Sequence, residues 1–444
     1  MTPVEEQPSV CDKVSEQREP HIVRKIFSTT FASLAHRNYR LFFFGQVISL
    51  IGTWTQSVAQ GWLVYDMRRS PFLLGLITSF SMLPTAFLSF IGGAVADRFP
   101  RRTILLVTQT ASIFPPLILG ILILTGTVEV WHIAAAALML GTINAFDMPT
   151  RQAFVIEMVG REDLMNAISL NSGMFNAARI AGPAVAGIVM RGVGVGYCFV
   201  INGLSFIAAV VALVLIKLSA TAPNERKESA FRHLASGIKY AVRDRRLLGV
   251  FGLVAIVSIF GFSYVVLLPA LVRDTFGKTE REFTNMLIVT GIGALVGALI
   301  VATIAKKTRS KRRILLMGIT ILSVSLFAIS LSRDYHIALI PLPFIGMGMI
   351  MFLSTANTLI QTRISDEYRG RIMGMWTFVF GGSAPVGAII AGAVAEKLGV
   401  LATIQISASI CFFFAVLAYI ISRRIAAKND SHPADDKPRT SVRR

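Results

Sequence analysis

Long apolar runs, interrupted only by scattered polar residues, recur twelve times along this chain, and short polar stretches separate them. They occupy about residues 40–66, 72–96, 103–125, 131–150, 169–191 and 195–217, then 247–272, 286–305, 314–332, 336–358, 372–395 and 400–422. A helix crossing about 30 Å of hydrocarbon needs roughly 20 apolar residues. Inside lipid the backbone must satisfy its own hydrogen bonds, so these runs are predicted to be transmembrane helices. The expected fold class is an all-α integral membrane protein with 12 transmembrane helices. Composition strengthens this reading: 54% of the 444 residues are apolar, 16% are charged, and mean hydropathy is +0.63. A water-soluble domain could not bury that much apolar surface, and disorder is excluded.

The net charge of +19 would suggest nucleic acid if the basic residues were clustered on one domain. They are instead distributed by topology. Of 44 Lys and Arg, 35 fall in segments on the side of the two termini, 8 on the opposite side, and Arg179 lies within a span. That asymmetry is the positive-inside rule, so both termini are expected in the cytoplasm and no nucleic-acid partner is expected. The first 39 residues lack the pattern of a cleaved leader, so the first span is expected to serve as its own insertion signal. Cys11, Cys198 and Cys411 show no disulfide or metal-ligand spacing, and no metal or cofactor is expected.

A basic, polar stretch divides the chain into two sets of six spans. The expected organisation is a cytoplasmic N-terminal tail (1–39), a six-helix bundle (40–217), a cytoplasmic central loop (218–246), a second six-helix bundle (247–422) and a cytoplasmic C-terminal tail (423–444). A weak internal repeat supports the division. AVADRFPRRTILL (94–106) is echoed by TIAKKTRSKRRILL (303–316), and RIAGPAVAG (179–187) by GSAPVGAIIAG (382–392). Two similar halves with parallel topology are the architecture of alternating-access transporters, with a substrate site between the halves near mid-membrane.

GGAVADRFPRR (92–102), between the second and third spans, resembles the loop signature of the major facilitator superfamily, G-x-x-x-D-R-x-G-R-R, with Pro100 in place of the usual glycine. The strings NYRLFFFGQVISLIGTWTQSVAQGWLVYD (38–66), AFDMPTRQAFVIEMVGREDLMNAISLNS (145–172) and NAARIAGPAVAG (176–187) are similar to the bacterial transmembrane secretion-effector group that includes enterobactin exporters. The resemblance covers about residues 35–422. It implies the major facilitator fold of two pseudo-symmetric six-helix bundles, with spans 1, 4, 7 and 10 lining the pathway. It also implies a cytoplasmic gate at Gly93, Asp97, Arg98, Arg101 and Arg102. The physical basis is independent: a carboxylate beside three guanidiniums at two helix ends can form charge-assisted bonds that close the inner mouth. The alternative is that these charges only fix topology. Asp147 and Arg151, one turn apart at the inner end of span 4, are expected to join that gate.

Gln46, Ser49, Thr53, Gln56 and Gln60 recur at intervals of 3, 4, 3 and 4 and put one polar face on the first span. The face is expected to meet a hydrated cavity, with helix packing through amide pairs as the alternative. Trp54, Trp62 and Tyr65 could add flat contacts for an aromatic ligand. Ser354, Asn357 and Gln361 form a shorter polar face on span 10. On span 5, Ser172, Asn176, Arg179 and Pro183 share a face. An arginine at mid-bilayer costs about 2.5–3.5 kcal/mol even on the lenient insertion scale, so it needs compensation. The compensating group is either an anionic or catecholate-like substrate or backbone carbonyls loosened near Gly182 and Pro183. The candidate binding residues are therefore Gln46, Thr53, Gln56, Gln60, Asn176, Arg179, Asn357 and Gln361.

No phosphate-binding loop is present, so an ion gradient is the expected energy source, with the proton as counter-ion. Proton exchange needs a carboxylate that responds to burial, and Asp147 and Asp66 are the candidates. The arginine that many drug/proton antiporters of the superfamily carry midway along span 4 is absent. The six histidines are scattered and no nucleophile–base pair is evident, so no enzyme is expected. The sequence thus predicts a monomeric exporter in a bacterial inner membrane that moves a small amphipathic molecule, siderophore-like or drug-like. Broad multidrug efflux, uptake, or a membrane sensor that no longer transports remain as alternatives.

Overall fold

The computed structural model describes residues 31–160, 162–217, 244–307, 311–364 and 366–430. Twelve helices among the described residues are long and apolar enough to cross a membrane. The first six are α1 (Arg37–Arg68), α2 (Pro71–Arg98), α3 (Arg101–Leu124), α4 (Val130–Val159), α5 (Leu164–Gly192) and α6 (Val195–Leu215). The second six are α7 (Leu247–Thr275), α8 (Glu280–Ile304), α9 (Lys311–Leu331), α10 (Tyr335–Gln361), α11 (Ile372–Leu398) and α12 (Val400–Ile421). Each coincides with one of the twelve predicted runs, none of which reaches more than two residues past its helix. Several extend past the apolar core because a helix continues where polar residues meet the headgroups. α4 reaches Val159, and the final helix continues to Asp430, inside the segment expected to be a tail. Most of the expected central loop lies outside the described residues.

Local chemistry ends these helices. Arg69 adopts a left-handed φ of 50° after α1, and the Ser70 hydroxyl then accepts from the Leu73 N–H to start α2, with Pro71 in its first turn. Asp334 accepts from the N–H groups of His336 and Ile337 at the start of α10. α7 is irregular: π-helical turns at Val257–Gly261 and Leu271–Thr275 interrupt it.

The packing repeats. α1 packs on α5 and α6, α2 on α4, and α3 on α4 and α6. Six positions later, α7 packs on α11 and α12, α8 on α10, and α9 on α10 and α12. Two main seams join the sets, α2 against α11 and α5 against α8, and exchanging the sets turns one seam into the other. Glycines make both seams close. A Cβ on Gly75 would meet the Ala388 carbonyl at 2.1 Å, and one on Gly187 would meet the Thr284 hydroxyl at 2.7 Å. Small residues are what allow helices to approach in lipid, where no hydrophobic force presses them together. Gly291, Gly293 and Gly297 serve the same purpose on α8, against Ile180, Pro343 and Met347.

The core is organised differently at the two ends. On the side away from the termini, one buried cluster runs through both sets, including Trp62, Tyr65, Leu74 and Ala186 with Tyr264, Leu268, Phe283 and Ala391. On the termini side there are three separate clusters, each confined to one set. Tyr39, Phe42, Leu105, Phe154 and Leu213 belong to the first set, and Leu247, Phe251, Ile360, Ile372 and Met375, and separately Val301, Ile314 and Met351, to the second. The halves are thus joined at one end and apart at the other.

Candidate transport pathway and its closures

Every hydrogen bond and ion pair between the two sets, among the described residues, lies toward the end away from the termini. The deepest is Ser79 Oγ donating to the Pro385 carbonyl at 2.8 Å. Above it, the Ser70 hydroxyl and the Phe72 N–H both donate to Glu396 Oε2, at 3.0 and 3.2 Å. α1 and α7 add a reciprocal pair of ion pairs. Arg273 Nη2 lies 3.4 Å from Asp66 Oδ1, and Arg69 Nη1 lies 3.6 Å from Asp274 Oδ1. The Tyr65 hydroxyl donates to Asp274. Beneath this layer Trp62 stacks on Phe283 at 5.7 Å, and the Arg273 guanidinium sits 5.8 Å from the Trp62 ring centre. Trp62 and Tyr65, expected as ligand contacts, are engaged in this closure because they lie at the sealed end of α1.

Sequence reasoning named Asp66 but missed Arg69, Arg273, Asp274 and Glu396. The available signal was their position: acids and bases at the far ends of α1, α7 and α11, on the side the positive-inside rule leaves poor in cations.

At the termini side the expected gate residues are separated. Asp97 and Arg98 are exposed. Arg101 pairs with Glu157 of α4 at 2.6 Å, and Arg102 donates to the carbonyls of Leu213 and Val214 at the end of α6, at 2.9 and 2.8 Å. A Cβ added at Gly93 would meet no atom within 4 Å, and the same holds at Gly173, Gly374, Gly381 and Gly382. Here, then, α2, α5 and α11 border open space.

Asp147 is buried, 2% exposed. Its carboxylate accepts from Thr108 Oγ1 at 2.8 Å and Gln109 Nε2 at 2.7 Å, and pairs with Arg151 one turn along α4. It ties α3 to α4 within the first set and does not reach the second. Gln109 Oε1 and Arg151 Nε, both buried, have no hydrogen-bond partner among the described residues.

The polar face of α1 divides. Gln46, Ser49 and Gln56 are buried, Thr53 is exposed and Gln60 is half-buried. Gln56 Oε1 accepts from Asn202 Nδ2 of α6 at 2.6 Å, and Thr53 Oγ1 reaches Asn202 Oδ1 at 3.4 Å, so Asn202 is the centre of this network. Gln46 Oε1 is buried without a partner among the described residues. On α10, Ser354 and Gln361 are exposed, and Gln361 Nε2 donates to Asn357 Oδ1 at 2.8 Å.

Arg179 and Asn176 are half-buried on α5. Asn176 Nδ2 donates to the Ser172 carbonyl at 2.9 Å, within the same helix. Beside Arg179, Gly182 packs against Trp54, and its carbonyl accepts from Thr55 Oγ1 at 3.2 Å. The carbonyl beside Pro183 is thus engaged by α1.

Comparison with known proteins agrees with this geometry. A family model described as transmembrane secretion effector matches residues 28–443. The chain is 23% identical over 394 residues to a staphyloferrin A transporter of Staphylococcus aureus, covering 88% of this chain and 97% of that one. It is 24% identical over 373 residues to the multidrug efflux pump Tap of Mycolicibacterium fortuitum (82% and 90% covered), and 20% identical over 402 residues to macrolide efflux protein A of Streptococcus pyogenes (87% and 97%). Among solved structures it resembles a POT family transporter in complex with 5-aminolevulinic acid, with a TM-score of 0.70 at 11% identity over 88% of this chain and 96% of that one. It also resembles the nucleoside transporter NupG, with a TM-score of 0.66 at 12% identity over 88% and 98%. At such identities these two likenesses speak for the fold.

Proposed function

The chain belongs to the transmembrane secretion effector family of the major facilitator superfamily, and on that premise we propose that it exports a small amphipathic molecule by alternating access. It is a membrane transporter of small molecules and not an enzyme. The observation that supports the mechanism is the asymmetry of the core, single at one end and split at the other. Two six-helix bodies, 40–217 and 247–422, joined by short glycine seams, can rock so that the joined end and the split end exchange. By the charge asymmetry of the loops we assign the split end and both termini to the cytoplasm, so this conformation faces inward.

In this reading the Asp66, Arg69, Arg273 and Asp274 cluster closes the outer mouth. Asp97, Arg98, Arg101 and Arg102, with Gly93 between the helices, re-form the inner closure when the bodies rock back. Asp147 and Arg151 hold α3 and α4 together as part of that inner structure. The pathway is lined by Thr53 and Gln60 of α1, Asn176 and Arg179 of α5, and Asn357 and Gln361 of α10, with Gln46 and Gln56 behind them. The protein works as a monomer in a bacterial inner membrane, with the proton as counter-ion.

A siderophore-like cargo draws support from the staphyloferrin A transporter and from the likeness to enterobactin exporters. The multidrug and macrolide efflux relatives favour a drug-like cargo as the second reading. The test is cargo accumulation in inside-out vesicles, before and after the proton gradient is collapsed. Export by antiport requires uptake that stops on collapse. Unchanged flux removes the proton from the mechanism, and no flux for any cargo class returns the protein to the sensor alternative.

A further inference from the structure

Arg179 is the sixteenth of the 29 residues of α5, so its guanidinium arises near the middle of the membrane. Nearer the termini side, the buried Asp147 is neutralised by Arg151 one turn along α4. Arg179 has no such counterpart. Among the described residues it forms no ion pair and donates no hydrogen bond. The ionisable side chain nearest to it in the opposite body is the buried Tyr264 on α7. Gly291 of α8 packs against the neighbouring Ile180, so Arg179 lies where α5 meets the opposite body.

A cation at this depth is expensive unless something compensates it, and intramembrane ionisable groups mark substrate pathways for that reason. The guanidinium offers a planar fork of donors that fits a carboxylate or a similar two-oxygen anion. We infer that Arg179 is the anion-binding group of the pathway between the two bodies, that Tyr264 of α7 stands behind the facing side, and that the cargo carries an acidic group, a carboxylate or catecholate, on an apolar body. This rests on the transporter reading and narrows its substrate class: purely cationic compounds are disfavoured. Because α5 and the α7–α8 pair belong to different bodies, a cargo held between them would also sense their relative movement.

The test uses the full chain in nanodiscs and two probe pairs of matched size, 2,3-dihydroxybenzoate with its amide and decanoate with decanol, followed by tryptophan fluorescence. The expected result is that the acid of at least one pair binds ten-fold or more tighter than its neutral partner. Arg179→Gln should reduce that ratio below two-fold, while Arg179→Lys, which keeps the charge, should retain at least three-fold. Tyr264→Phe should weaken the acid several-fold. Ratios within two-fold for both pairs in the wild type, or a preference undiminished in Arg179→Gln, would overturn the inference. Vesicle accumulation of the same probes separates the two readings. Preference without flux leaves this site standing and removes the exporter, whereas flux without preference does the reverse.

Discussion

Asp66 of α1 and Arg273 of α7, 207 positions apart in sequence, lie 3.4 Å apart at the sealed end of the pathway. Arg69 and Asp274 pair in the opposite sense on the same two helices, so each body supplies one acid and one base. The arrangement is self-complementary, as expected where two similar helix ends meet about a pseudo-two-fold axis.

Asp66, Arg69 and Asp274 are about half exposed and Arg273 about a third, so each pair is worth about 0.2–1 kcal/mol, up to roughly a five-fold change in conformer population. Asp66→Asn or Arg273→Gln should therefore bias the protein modestly toward separation at this end. The exchange of Asp66→Arg with Arg273→Asp should restore the wild-type distribution. Distances between spin labels at Thr127 and Arg333, in turns on this side of the two bodies, report it. Equal distributions in all variants would remove the latch.

Gly75 tests the seam itself. Its added Cβ would stand 2.1 Å from the Ala388 backbone carbonyl, which cannot rotate away. Gly75→Ala should destabilise the joined conformation by about 1–3 kcal/mol, as overpacking does, and lower the unfolding temperature. Gly173→Ala is the control, because nothing lies within 4 Å there, and removing a helix-interior glycine should leave stability equal or higher.

Asp147 and Arg151 form the buried pair of the first body. Removing one partner leaves the other charge stranded, a loss of about 3–5 kcal/mol. Asp147→Asn and Arg151→Gln should each lower thermal stability strongly, and the double variant should recover part of the loss. Additive losses in this double-mutant cycle would show that the two residues act independently.

Asp97 is exposed in this conformation. Asp97→Asn should change the unfolding temperature little, since exposed sites contribute within about 0.5 kcal/mol. Transport should nevertheless fall if the residue closes the inner mouth in the other conformation. A stability loss as large as that of Asp147→Asn would place its role in folding instead.

Much of the architecture was legible because hydrophobic length is a one-dimensional property. Every predicted run lies on an observed helix to within two residues at its ends. The site was less legible. The periodic face of α1 identified Gln56 as polar-facing but could not reveal that Asn202, on an otherwise apolar helix, would hold it. Glu157 takes Arg101 away from Asp97 for the same reason: partners on different helices carry no common sequence period.

The sequence alone determined that this chain crosses the membrane twelve times, which side its termini are expected to face, and that one unusual charge, Arg179, sits in the middle of a span. These follow from transfer energies that each segment pays by itself. Which end is closed, which charges meet, and what Arg179 faces were decided only by the tertiary structure. Those relationships arise between segments up to 326 residues apart, as in Ser70 with Glu396, and depend on how two rigid bodies lean together.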